Sequence, residues 1–182
     1  MEQTLIDVLK NSNTQKIGFM YVGSTGFVYR VVPGDFTTVA LNVQQGNIGV
    51  QQGGVRAGMA RYSIRQDGKS KANTFYIGAK RDAPAIFESL LVHESVHAIY
   101  DLKGIAMPWL DNEAIAYIAQ GFYLLNAGKE DGLSQEAYIG LEIARSIQNG
   151  KIDPFWYAEL KNSLQSNPVY HDYIRGTFQG DG

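Results

Sequence analysis

The chain has 182 residues, 45% of them hydrophobic and 19% charged, with a net charge of −2, so it can bury a substantial core without a partner and reads as one domain over 1–182. Cysteine is absent, which excludes disulfides, thiolate ligands and thiol nucleophiles. No apolar run approaches the roughly 18 residues of a membrane span, and the N-terminal stretch lacks a basic region followed by an apolar core, so the expectation is a soluble protein with no membrane partner, cytoplasmic or exported without a signal peptide.

In chain order, a short helix is predicted near residues 4–10, followed by β structure. Strand formers mark 16–22, 27–32, 36–43 and 55–64, punctuated by Gly23-Ser24-Thr25-Gly26, Pro33-Gly34-Asp35 and Asp67-Gly68. Residues 44–54, rich in Gln, Gly and Asn, read as a loop or hairpin, and 73–78 as a short strand. A long helix is then expected over 85–103, where no Gly or Pro occurs and Phe87, Leu90, Leu91, Val92, Val96, Ile99 and Leu102 supply its apolar positions. Asp82 can cap this helix, Pro84 suits its first turn, and Gly104 stops it. A second apolar helix follows to about residue 125. Its small residues Ala114, Ala116, Ala119 and Gly121 permit close approach to the first. Ser134 caps a third helix ending near Asn149-Gly150, and Asp153-Pro154 starts a fourth that stops before Asn167-Pro168. Strands first (16–78) and helices later (84–175) define an α+β class, with a twisted, mostly antiparallel N-terminal sheet ahead of the helical half.

The chemistry concentrates in His93-Glu94-Ser95-Val96-His97, which uses two of the three histidines. On a helix those imidazoles lie about 40° apart, with Cβ atoms roughly 6 Å apart, so both rings can turn toward one point. An apolar helix has little reason to carry this flank unless a metal satisfies it. Glu94 lies about 100° from His93, where it can hold a water rather than the metal itself. A zinc ion lowers the pKa of such a water to about 7, and a nearby carboxylate can take its proton. A catalytic zinc site normally has three protein ligands, so another donor is needed. The best candidate is Glu113, in Trp109-Leu110-Asp111-Asn112-Glu113-Ala114 at the start of the second helix. Asp101, one turn beyond His97, is the rival, although one straight helix struggles to supply all three ligands. Taken alone, Glu113 is also an ordinary first-turn acid favoured by the helix dipole.

In these residues the chain resembles the gluzincins, the thermolysin-like zinc metallopeptidases, which join a His-Glu-x-x-His helix to a second helix bearing Asn-Glu-x-x-Ala or a near variant. The resemblance covers roughly residues 73–125. It implies a zincin-like fold, one Zn2+ per chain held by His93, His97 and Glu113, Glu94 as general base, and a peptide or protein substrate. It also implies that the strand before the metal helix is a sheet edge to which an extended substrate adds. The chain departs from the family in two places. Glu113 follows His97 by 16 residues, a short spacing, and Tyr117 stands where an acidic or hydroxyl residue often orients the first histidine. Tyr117, Asp111 or a backbone carbonyl can serve as the outer partner of a histidine.

An oxyanion-stabilising group is expected opposite the metal. Tyr117, one turn beyond Glu113, is one candidate catalytic residue. His171, within Tyr170-His171-Asp172-Tyr173, is the other, against the plainer reading of a surface histidine. Charge is divided, +6 over residues 1–81 and −8 over 82–182. The basic set of Arg56, Arg61, Arg65, Lys69, Lys71, Lys80 and Arg81 reads as solvated strand and turn faces ahead of a surface for nucleic acid or acidic peptide. Gly68-Lys69-Ser70 is no phosphate loop, since Ser63 stands where the first glycine is required. The reading is a zinc-dependent metallopeptidase. Its alternatives are a zincin-fold binding module without turnover, a cell-wall amidohydrolase, or the peptidase domain of a bacterial effector.

Overall fold

Pro84 opens the long helix and Gly104, at φ +60°, follows its end, as the pattern requires. The computed structural model describes residues 1–66, 70–79, 83–151 and 153–180, so the Asp82 cap, the Asp67-Gly68 turn and the basic residues Lys69, Lys80 and Arg81 lie outside the described residues. Ala83 takes the N-cap position of the helix, α3 below, without a side-chain bond.

The order is α1 (Glu2–Lys10), β1 (Phe19–Val22), β2 (Val28–Val31), α2 (Pro33–Gln44), β3 (Gly49–Gln52), β4 (Ala60–Ser63), β5 (Thr74–Ile77), α3 (Pro84–Leu102), β6 (Ala106–Pro108), α4 (Trp109–Asn126), α5 (Gln135–Gln148), α6 (Pro154–Ser166) and β7 (Thr177–Gln179). The class is α+β. In place of one mostly antiparallel sheet, the described residues form three small ones: the β1-β2 pair, the β6-β7 pair and a mixed sheet ordered β3-β5-β4. In the mixed sheet β5 pairs parallel with β3 and antiparallel with β4.

Three expectations are corrected. Residues 36–43 are not a strand but the body of α2. Pro33 sits in the first turn, Asp35 Oδ2 accepts the Val32 N–H at 3.0 Å, and Phe36, Val39, Ala40 and Val43 fall on one buried helical face. The helical spacing of four apolar residues, started by a good N-terminal signal, overrides their strand propensity. Within the supposed loop 44–54, Gly49–Gln52 forms β3. The strand before α3, β5, is central in its sheet, and all four of its residues are buried. Among the described residues the edge on the side of α3 is β4.

One contiguous cluster of buried side chains runs from Leu5 on α1 to Phe178 on β7 and unites both halves. Helix α4 lies at its centre, with 14 buried residues between Asp111 and Leu124. Gly121 of α4 does not serve the contact with α3: a Cβ there would stand 2.2 Å from the Gly140 carbonyl carbon, so it is α5 that crosses α4 at backbone distance. No described helix is long and apolar enough to cross a membrane.

Candidate metal centre

Helix α3 turns His93 and His97 toward α4, and α4 presents Glu113 between them. His93 Nε2 lies 3.3 Å from Glu113 Oε2, and His97 Nε2 lies 3.8 Å from Glu113 Oε1. One ligand atom from each residue falls within 4.8 Å of the others, and all three side chains are buried. Glu113 Oε2 has no hydrogen-bond partner among the described residues. A buried carboxylate oxygen left without a donor costs free energy, whereas a cation between the three groups would satisfy it. Two imidazole nitrogens and a carboxylate are a donor set suited to a transition metal, so the triad can hold a metal ion.

Asp101 does not join the group. It accepts a hydrogen bond from Tyr62 Oη at 2.6 Å and so ties α3 to β4. Asp111 is not part of the group either. Fully buried, it accepts Tyr21 Oη at 3.0 Å and the Ser24 N–H and Oγ at 2.9 and 2.7 Å, anchoring the β1-β2 hairpin to α4. The outer partner of His97 is Asn112, whose Oδ1 shares a hydrogen bond with His97 Nδ1 while its Nδ2 faces Met107 Sδ at 3.5 Å. Because an amide oxygen only accepts, the shared proton sits on Nδ1 and leaves Nε2 free toward Glu113. Sequence reasoning passed over Asn112, although it directly precedes Glu113.

Glu94 is half-buried beside the triad, and its Oε2 accepts the Tyr62 N–H of β4 at 2.7 Å. Burial pushes its carboxyl above the usual range, against the pull of His97 and His93. For Glu113 burial works upward too, but His97 and then His93 outweigh it and hold the carboxyl below its ordinary value. His93 is the converse case: burial pulls it down, while Glu113 and then Glu94 carry it above its ordinary value.

The four groups lie at the base of a pocket of about 600 Å³, walled by Met59 to Tyr62 of β4 and its approach, by Trp109, and by Val169, Tyr170 and Tyr173. Neither candidate for the oxyanion group lines the pocket, and His171 takes the plainer reading of a surface histidine. Tyr117 packs its ring edge-on against His93 at a centroid distance of 4.5 Å and shares its hydroxyl proton with Tyr170, so it backs the site without lining the pocket. His171 is directed to solvent, with its side chain 76% exposed and Nδ1 3.5 Å from Asp172 Oδ1. In that turn it is the flanking residues Tyr170 and Tyr173, three apart, that face inward. Tyr173 Oη donates to Glu113 Oε1 at 3.1 Å. Burial, then the Glu113 charge, pushes the Tyr173 phenol far above its usual value, so it is a neutral donor throughout the physiological range. The i, i+3 spacing of tyrosines around His171 was the available signal.

Of the basic set, Arg56 and Arg61 border the pocket. The Arg61 guanidinium bonds Ser70 Oγ at 2.6 Å and lies 5.3 Å from the centre of the Tyr76 ring. No protein-family model matches the chain, and neither the curated proteins nor the solved structures give a match.

Proposed function

We propose that this chain is a zinc-dependent metallopeptidase of gluzincin type with a zincin-like fold. The observation that carries the reading is the buried convergence of His93, His97 and Glu113 at the base of a pocket, with the Glu94 carboxylate beside them. Two imidazoles and one carboxylate from a His-Glu-x-x-His helix and its successor form the ligand set of a hydrolytic zinc site that keeps one position for water or substrate. Zinc, when bound there, would polarise a substrate carbonyl and make water acidic enough to attack near neutral pH.

The remaining work falls to the protein. Glu94 takes the proton of the attacking water and passes it to the leaving amine, a role suited to a carboxyl whose pKa burial has raised toward neutrality. Tyr173, neutral and within the pocket, would turn its single hydroxyl proton from Glu113 Oε1 to the oxygen that becomes negative as the carbonyl is attacked. An extended peptide would lie along the outer edge of β4, where Ala60 and Tyr62 line the pocket and the Tyr62 N–H turns from β5 toward Glu94.

The test is a comparison of Glu94→Gln with wild type in zinc content and in cleavage of a quenched peptide library. Glu94→Gln retains about one zinc per chain and loses turnover by several orders of magnitude. Turnover preserved in Glu94→Gln would remove the general base and with it the mechanism.

A further inference from the structure

Besides Glu113 Oε2, two buried polar atoms of α3 and α4 lack hydrogen-bond partners among the described residues: His93 Nδ1 and Gln120 Oε1. One is a donor when the ring is neutral and Nε2 carries the lone pair, and the other is only an acceptor. Their neighbours fix which end of the amide is which. Ser89 Oγ donates its single proton to the Ile86 carbonyl at 2.8 Å, so it can only accept from Gln120, whose Nε2 approaches it at 3.3 Å. The amide nitrogen being committed to Ser89, the oxygen is left for the imidazole. Ser89, His93 and Gln120 are 0%, 5% and 3% exposed, so bulk water does not supply either missing partner. Ser89 and His93 are four residues apart on α3, so the amide that reaches Ser89 Oγ at 3.3 Å lies on the same helix face as the imidazole.

We propose that Gln120 is the positioning residue of His93: its Oε1 accepts the Nδ1–H, fixes the ring so that Nε2 faces the centre, and is itself held by the chain from Ser89 to the Ile86 carbonyl. With Asn112 on His97, helix α4 then provides one ligand and both of the groups that orient the other two. Gln120 stands seven residues, about two turns, beyond Glu113 and so returns to the same face of the helix. This takes the place of the residue four beyond the ligand glutamate, where the chain has Tyr117. The inference rests on the metal-centre reading and not on turnover.

The experiment measures zinc affinity by chelator competition for wild type, Gln120→Met and Gln120→Glu. It also follows the His93 Nδ1–H resonance of the zinc-loaded proteins by long-range 1H–15N correlation. Gln120→Met, close in volume and free of an acceptor, lowers affinity about 10- to 100-fold and moves the Nδ1–H resonance upfield, whereas Gln120→Glu, which keeps the acceptor and loses only the donor to Ser89, shows a smaller loss and keeps the resonance downfield. Ser89→Ala, which removes only the far anchor, gives a smaller loss in the same direction and keeps the inference testable should Gln120→Met fold poorly. Wild-type affinity and an unshifted Nδ1–H in Gln120→Met, or in its place no loss in Ser89→Ala, would overturn the role of Gln120 alone. Failure of the wild type to bind zinc would overturn the metal centre together with it.

Discussion

At the scale of single residues, the site is set by the jobs that its buried polar groups do. Glu113 carries two: it bridges both imidazoles, and its Oε1 accepts from Tyr173. Tyr173→Phe removes that hydroxyl without opening a large cavity. Because the hydroxyl is assigned to the oxygen that gains charge during attack, kcat at saturating zinc falls about 100- to 1000-fold while KM changes little, and zinc affinity falls as well because Glu113 Oε1 loses its donor. Steady-state kinetics with a metal assay checks this. An unchanged kcat would move the role to Tyr170, the other phenol on the pocket wall. The ligand residues are the part of the site most legible in sequence, because His93 and His97 are tied by helical period and Glu113 by its place at the next helix start. Asn112, Gln120 and Tyr62 act across tertiary contacts, at sequence separations of 15 from His97, 27 from His93 and 32 from Glu94, where no period links them.

At the scale of elements, α4 is the organiser, and its packing explains both successes and failures of the sequence pattern. The long periodic helices over 84–102 and 109–126 were readable because apolar residues recur without Gly or Pro over most of their length. Gly121 sits inside α4 not to bend it but to admit α5. Gly121→Ala therefore destabilises the fold by about 1–3 kcal/mol through overpacking against the Gly140 backbone, despite the better helix propensity of alanine. Urea unfolding monitored by circular dichroism measures it, and a midpoint equal to or above wild type would contradict the close crossing. The strand assignment of residues 36–43 failed because Thr37, Thr38, Val39 and Val43 have strand propensity and the helical spacing of Phe36, Val39, Ala40 and Val43 is spread over only two turns. The edge position went to β4 and not β5 because long-range pairing with β3 covers β5, a contact with no local signature.

At the scale of the whole molecule, stability and metal binding respond to pH in opposite senses. His93 is raised above the 6.5 of an unperturbed imidazole, so its contribution to stability is full below about 6.5 and fades as pH rises through the folded value. Glu113 is lowered below 4.5, so its contribution is full above about 4.5 and fades as pH falls through the folded value. In chelator, the pair therefore stabilises the protein most between pH 4.5 and 6.5. Zinc requires neutral imidazoles, so a fixed zinc concentration about 1,000 times Kd at pH 7.5 adds on the order of 4 kcal/mol there and much less at pH 5.5, where Kd is weaker. Thermal unfolding at both pH values, with EDTA and with zinc, reads the difference as a metal-induced rise in Tm that grows with pH. A rise of equal size at both would separate metal binding from these imidazoles.

The most direct measurement is diffraction from zinc-soaked crystals recorded on either side of the zinc absorption edge. The account predicts one strong anomalous peak per chain, within bonding distance of His93 Nε2, His97 Nε2 and a Glu113 carboxylate oxygen. A peak bound elsewhere, or none at that position with zinc in excess, would contradict it.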